Sequence, residues 1–334
     1  MPILKYIVGI DVSMKTFDAR CGSTDTEQHG VLSPSKNFSN ATAGFEQLLR
    51  WVSQFVTAPG IPLIFVMEAT GVYYERLAHF LFLHKRSVAV ILPNKIKNYA
   101  KSLQSKSKTD PLDAAAITRF GLDRQLTLWS PPSPTVKVLH NLSREYRALK
   151  ATMTSIKNQR HALSESFDPQ RHSLARKAQL LKFLQHQCDQ IEEEFHQLLD
   201  ADPDLARRVA KISTIEGVGF ITIVCVLAET QCFEHVTGQK QLASYAGLDV
   251  VFNNSGLRKG KTTISKKGNA FLRHAVFMPA LAAVRCNPQM KELYQRLVAK
   301  GKNKKLALIA VARKLLLLIY ALWKNNSLYD PNYS

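Results

Sequence analysis

Four acidic residues, far apart along the chain, have the types and settings to hold divalent cations beside a polyanion. Asp11 ends the apolar run Tyr6-Ile-Val-Gly-Ile-Asp11, and Glu68 ends Phe65-Val-Met-Glu68. Asp110 and Asp113 stand three apart in Lys108-Thr-Asp110-Pro-Leu-Asp113. Two short buried strands would each deliver one carboxylate at their ends, and a helix start would set two more on one face. Such a group repels itself unless cations sit within it. A pair of magnesium ions, for which manganese can substitute, would activate one oxygen and stabilise the other across an in-line phosphoryl displacement. Asp110-Pro-Leu-Asp113 alone is equally a helix N-terminus, with an Asp cap, Pro at the first position and an acid in the first turn. The order of all four acids is what points to a metal site.

A second constellation is Asn253-Asn-Ser255-Gly-Leu-Arg258-Lys259-Gly-Lys261, a serine among cations in a Gly-flanked loop. A hydroxyl placed there could lose its proton and be directed at a phosphate; a solvated turn serine is the plain alternative. Ser265, in Ile264-Ser265-Lys266-Lys267-Gly-Asn269, is the other candidate, though it more simply caps or precedes the next helix and binds phosphate with its lysines. Ile215-Glu-Gly217-Val-Gly219 has the form of a helix-hairpin-helix turn, where Gly217 and Gly219 let backbone amides approach a DNA phosphate. An ordinary interhelical turn fits the same residues.

Charge supports a nucleic-acid partner. The 334 residues carry a formal net charge of +19, against an otherwise ordinary globular composition of 46% hydrophobic and 21% charged residues. The cations cluster: Lys95, Lys97, Lys101, Lys106 and Lys108 form one stretch without an acid. Arg258, Lys259, Lys261, Lys266 and Lys267 form another, with Arg273 beyond it. Five scattered cysteines show no metal-ligand spacing, as expected of reduced thiols in a cytoplasmic protein. The chain enters a strand at once, leaving no room for a signal peptide. Arg313 and Lys314 interrupt the apolar run 306–322, so it reads as a buried helix and not a membrane span.

The elements that must position these residues begin with an α/β domain. Strands are expected over 6–11, 17–21, 30–32, 63–68 and 88–92. Helices are expected over 40–55, with Asn40 as cap, and over 72–84, with a further helix after the last strand. That order is the order of a ribonuclease H-like sheet, in which the first and fourth strands lie side by side and bring Asp11 next to Glu68. Pro131, Pro132 and Pro134 mark a linker. Leu139, Leu142, Tyr146, Leu149, Met153, Ile156 and Leu163 then recur by threes and fours with one beat missed at Arg160, and a second run from Leu174 to Leu198 follows Asp168-Pro169. Two long amphipathic helices in a hairpin follow, as a spacer or a dimerisation arm. A basic, mainly helical region completes the chain.

With these motifs in this order, the chain resembles the insertion-sequence transposases of the DEDD-plus-serine type, which include Piv-like DNA invertases and bridge-RNA-guided recombinases. The residues that carry the resemblance span nearly the whole chain: Tyr6 to Lys15, Glu68-Ala-Thr-Gly-Val-Tyr73, Lys108 to Ala114, Ile215 to Gly219, Tyr245-Ala-Gly-Leu248, Ser255-Gly256, and Ser265 to Arg273. The resemblance implies a RuvC-like domain over 1–125, a linker over 126–137, a coiled-coil hairpin over 138–200 and a C-terminal transposase domain over 201–334. It makes Asp11, Glu68, Asp110 and Asp113 magnesium ligands and Ser255 the nucleophile of a transient phosphoserine link. It further implies double-stranded donor and target DNA, a structured bridge RNA, and composite active sites in a tetramer built from dimers. The setting would be the bacterial nucleoid, with no membrane. Asn254 departs from the pattern, standing where some relatives carry an acid. The rival readings are a RuvC-like nuclease using water, a non-catalytic nucleic-acid binder, and an actin-like ATPase. For the last, Gly9-Ile-Asp11-Val-Ser13 has no second Asp-x-Gly phosphate loop to accompany it.

Overall fold

The computed structural model describes residues 2–27, 29–69, 71–102, 110–251, 254–255, 258–259 and 262–331, and only the backbone of 110–112, 254, 258 and 259. Lys106, Lys108 and Lys261 lie outside the described residues, as do the side chains of Asp110, Arg258 and Lys259. Contacts divide the chain into two units, Met1–Pro131 and Pro132–Ser334.

The first unit runs β1 (Ile3–Val12), β2 (Thr16–Asp25), β3 (Gly30–Leu32), β4 (Lys36–Ser39), α1 (Thr42–Val52), β5 (Leu63–Glu68), α2 (Glu75–Leu83), β6 (Ser87–Ile91), α3 (Pro93–Ser102) and α4 (Asp110–Asp123). The sheet order is β3-β2-β1-β5-β6, with β4 also pairing β2. β1 is antiparallel to β2 and parallel to β5, and β5 is parallel to β6. This is the order and sense of a ribonuclease H-like sheet. The extra strand β4 places only Phe38 in the core, so its polar sequence Lys36-Asn-Phe-Ser39 carries no apolar run to announce it. Asn40 does not cap α1. Ala41 holds that position without a side-chain bond, while Asn40 Nδ2 donates to the carbonyls of Ser13 at 2.9 Å and Tyr73 at 3.2 Å.

Strand alternation gives the sheet two distinct faces. Val8, Ile10, Val12, Phe65 and Met67 join Phe45, Leu48, Leu77 and Leu81 in a core beneath α1 and α2. Ile7, Val66 and Ala89 face the other way and pack with Ile117 of α4.

The second unit opens with α5 (Pro134–Ser164) and α6 (Arg171–Asp200), then α7 (Pro203–Ile212), α8 (Phe220–Thr230) and α9 (Gln239–Tyr245). Four short strands follow: β7 (Val250–Val251), β8 (Asn254–Ser255), β9 (Arg258–Lys259) and β10 (Thr263–Ile264). The unit closes with α10 (Ala270–Cys286), α11 (Pro288–Ala299) and α12 (Lys304–Asn325). α5 begins inside the expected linker over 126–137, because Ser133 Oγ accepts from Val136 N at 3.3 Å and Pro134 suits the first turn. α5 and α6 run antiparallel, as the contacts Met153–Cys188, Tyr146–Glu192 (2.7 Å) and Gln159–Lys177 (2.8 Å) require. Their shared core is Met153, Ile156, Leu181, Leu184 and Cys188. The main core gathers α8 and α12 against α10, with α5 also packed on α8. By length and composition α12 could cross a membrane, but half of its most apolar window is buried within the protein.

Candidate metal centre and serine hairpin

The carboxylates follow from register. β1 and β5 pair in parallel up to Ile10 with Met67, so the next residues, Asp11 (one before the end of β1) and Glu68 (the last of β5), come side by side. Parity sets their face: Asp11 lies with Ile7 and Gly9, Glu68 with Val66, all toward α4. α4 runs antiparallel to β1 across that face. Lys5 Nζ donates to the carbonyls of Gly121 and Arg124 at the helix C-terminus, at 2.9 and 3.2 Å. A side chain on Gly9 would meet Thr118 and Ala114 one to two turns earlier. The first turn of α4, with Asp110 and half-buried Asp113, therefore lies toward the strand ends that carry Asp11 and Glu68. The helix lies this close because Gly9 offers no Cβ: one built there would stand 2.4 Å from Thr118 N.

The same face holds an acid that the sequence reading missed. Asp18 pairs directly opposite Asp11 across β1 and β2, so both project to one side, and Asn37 Nδ2 donates to Asp18 Oδ2 at 3.1 Å. A strand of alternating burial beginning five residues after Asp11 carried that signal. All these donors are hard oxygens of the kind magnesium prefers. Among the described residues, which include the side chains of Asp11, Asp18, Glu68 and Asp113, no three His, Cys, Asp or Glu side chains are grouped so as to hold a metal ion.

Ser255 belongs to a hairpin. β7 pairs β10 through Val251 with Thr263 and Val250 with Ile264, and β8 pairs β9 through Ser255 with Arg258. Below these ladders, Ser265 N donates to Asp249 O at 3.0 Å, Lys266 N to Gly247 O at 3.1 Å, and Asn269 N to Tyr245 O at 2.7 Å. The two candidate serines now differ. Ser255 is exposed, whereas half-buried Ser265 donates its hydroxyl to Asp249 Oδ1. Ser265 is not a helix cap either. Asn269 fills that role on α10, its Oδ1 accepting from Leu272 N at 3.1 Å.

The expected nucleic-acid contacts fall in several settings. Lys95, Lys97 and Lys101 are exposed on α3, whose other face buries Ile96 and Tyr99. Tyr99 donates its hydroxyl to Asp123 of α4, and burial together with that bond pushes its pKa up to about 12. Lys266 and Lys267 are exposed at the hairpin base. Arg273 Nη1 donates to the carbonyls of Ala246 (2.8 Å) and Gly268 (3.0 Å), bracing that base. Gly217 has φ +88°, and a Cβ there would lie 2.6 Å from the backbone of Ala283, so packing against α10 accounts for this glycine. Gly219 precedes α8 with open space around it.

Two family models match the chain. One, of IS110-type DEDD transposases, matches residues 8–168; the other, described as transposase IS116/IS110/IS902 family, matches residues 209–295. The pilin gene-inverting protein of Moraxella bovis is 32% identical over 333 residues, covering 98% of both chains, and that of Moraxella lacunata aligns to the same extent. The transposase for insertion sequence element IS1111A of Coxiella burnetii is 28% identical over 141 residues, 41% of this chain and 38% of its own. Among solved structures, RuvC of Thermus thermophilus aligns at 10% identity with a TM-score of 0.28, covering 37% of this chain and 99% of RuvC.

Proposed function

The chain belongs to the IS116/IS110/IS902 transposase family, and on that premise we propose that it cuts and rejoins DNA by transesterification at Ser255. Asp11, Glu68, Asp110 and Asp113 would hold two divalent cations, magnesium or manganese. The observation that carries this reading is the side-by-side placement of Asp11 and Glu68, near the ends of β1 and β5, on the face that α4 crosses with its first turn toward them.

In the proposed step, Ser255 Oγ loses its proton and bonds to the phosphorus of a DNA phosphodiester. The bond from that phosphorus to one sugar oxygen breaks, and the released sugar hydroxyl takes up a proton. A hydroxyl from a second DNA end then attacks the phosphoserine, restores the phosphodiester and returns the proton to Ser255. The ester conserves the bond energy, so rejoining needs no nucleotide. Bound magnesium would neutralise charge on the phosphate and on the leaving oxygen. The four carboxylates hold that charge in place. The cations at the hairpin base and on α3 bind the flanking phosphates, which makes binding strongly salt-dependent. Carboxylates of one protomer would serve the serine of another, in a tetramer built from dimers through the α5–α6 arm. Double-stranded donor and target DNA and a structured bridge RNA are the partners, in the bacterial cytoplasm.

Inversion in place of transposition is the second reading, favoured by the end-to-end similarity to the pilin gene-inverting proteins. The deciding experiment traps the protein–DNA adduct and maps the modified residue by mass spectrometry. Ser255→Ala is expected to abolish the adduct and DNA cutting, while Ser265→Ala retains both. A Ser255→Ala protein that still cuts would establish the water-using nuclease instead.

A further inference from the structure

We propose that Glu229 is a positioning residue for Ser255, tying both legs of the serine hairpin to the root of the α5–α6 arm; this rests on the assignment of Ser255 as nucleophile. Glu229 sits near the end of the apolar helix α8, among Val226, Leu227 and Ala228, and is 4% exposed. A lone carboxylate there would be costly, so its partners define it. Arg144 of α5 donates to both of its oxygens, Nε to Oε1 at 2.8 Å and Nη2 to Oε2 at 3.0 Å. Asn269 Nδ2 donates to Oε2 at 2.6 Å, and Tyr245 Oη donates to the backbone carbonyl of Glu229 at 3.0 Å.

Tyr245 and Asn269 are the residues at which the two legs of the hairpin start and finish, and they bond to each other through Asn269 N and Tyr245 O. From that rung the pairing climbs through Gly247–Lys266 and Asp249–Ser265 to β7–β10, and the stretch between β7 and β10 carries the separate β8–β9 ladder that holds Ser255. One buried acid thus grips both feet of the hairpin. The arm makes a further contact beside this one: the guanidinium groups of Arg144 and Arg147 lie over the Phe271 ring, 3.8 and 4.2 Å from its centroid, two residues beyond Asn269. A buried ion pair serving stability alone would not need its remaining bonds to converge on the two ends of one loop.

Asn269→Ser gives the test, because serine caps a helix as well as asparagine but is too short to reach Glu229. Glu229→Gln is the companion variant, and Asn269→Ser carries the test should that one fail to fold. Hydrogen exchange of the full chain is followed alongside DNA affinity and the single-turnover rate of adduct formation. In Asn269→Ser, exchange across 249–265 is expected to rise about tenfold or more while α8 and α12 stay protected. The adduct rate should fall about tenfold or more with DNA affinity unchanged. Unchanged exchange in the hairpin, or a uniform rise throughout the second unit, overturns the proposal. So does a loss of DNA affinity at an unchanged rate. If Ser255→Ala still cuts DNA, the nucleophile assignment fails, while exchange in 249–265 still decides whether Glu229 orders the hairpin.

Discussion

Replacing Gly9 by alanine should separate folding from the alignment of the carboxylates. The added Cβ would lie 2.3 Å from Thr118 Oγ1, 2.4 Å from Thr118 N and 2.7 Å from Ala114 O. Two of those atoms are backbone, so no rotamer change relieves them. α4 must retreat by roughly 1 Å to restore ordinary contact. Overpacking of this kind costs ~1–3 kcal/mol, which lowers the Tm of a unit this size by roughly 3–12 °C and leaves it folded at 25 °C. The helix carries Asp110 and Asp113 with it, and a misplacement of about 1 Å at a reacting centre costs on the order of 10²-fold in rate. The assay is single-turnover cutting of a DNA end at saturating magnesium, beside thermal unfolding by circular dichroism. Leu48→Ala is the control. It empties a fully buried site beneath the opposite face of the sheet and costs ~2–5 kcal/mol, yet should leave the cutting rate near parental. A Gly9→Ala protein that melts several degrees lower and cuts at the parental rate would refute the argument, as would equal slowing in Leu48→Ala.

Asp11→Asn and Glu68→Gln should each slow cutting on the order of 10²–10³-fold, with binding to a labelled DNA duplex retained in gel shifts. Lys95→Gln, Lys97→Gln and Lys101→Gln should each reduce the slope of log affinity against log salt by up to about one, measured by fluorescence anisotropy. Burial pushes the Cys21 thiol up from 9.0 to about 11. The folded state therefore holds that proton more tightly, and the resulting stability is complete below pH 9.0 and lost as pH rises through about 11. Urea unfolding should show a steeper decline across that window in the parent than in Cys21→Ala.

Much of the first unit was legible because its signals are local. Apolar runs that end in an acid marked β1 and β5, and the element order alone implied that those ends adjoin. What escaped depends on partners distant in sequence. Asn40 looks like a helix cap, but its amide is taken by carbonyls 27 and 33 residues away. Ser265 has the same local appearance, yet Asp249 engages it and Asn269 caps the helix. Glu229 gives no local sign at all, since its partners lie 85 and 40 residues off in a stretch that otherwise reads as apolar helix. Asp18 was hidden differently: an acid on an exposed alternation is the commonest pattern in a half-buried strand, and only pairing revealed what it faces.

The Asn40 amide has a mechanical consequence. It stands on neither β1 nor β5, yet it bridges Ser13, two residues past Asp11, to Tyr73, five past Glu68. The segments leaving the two acids are thereby pinned by one crossbar, and fraying at one must strain the other. Were cations held at these strand ends as proposed, their capture and release would accordingly be a single event, and an Asn40→Ala chain should lose them well before it melts.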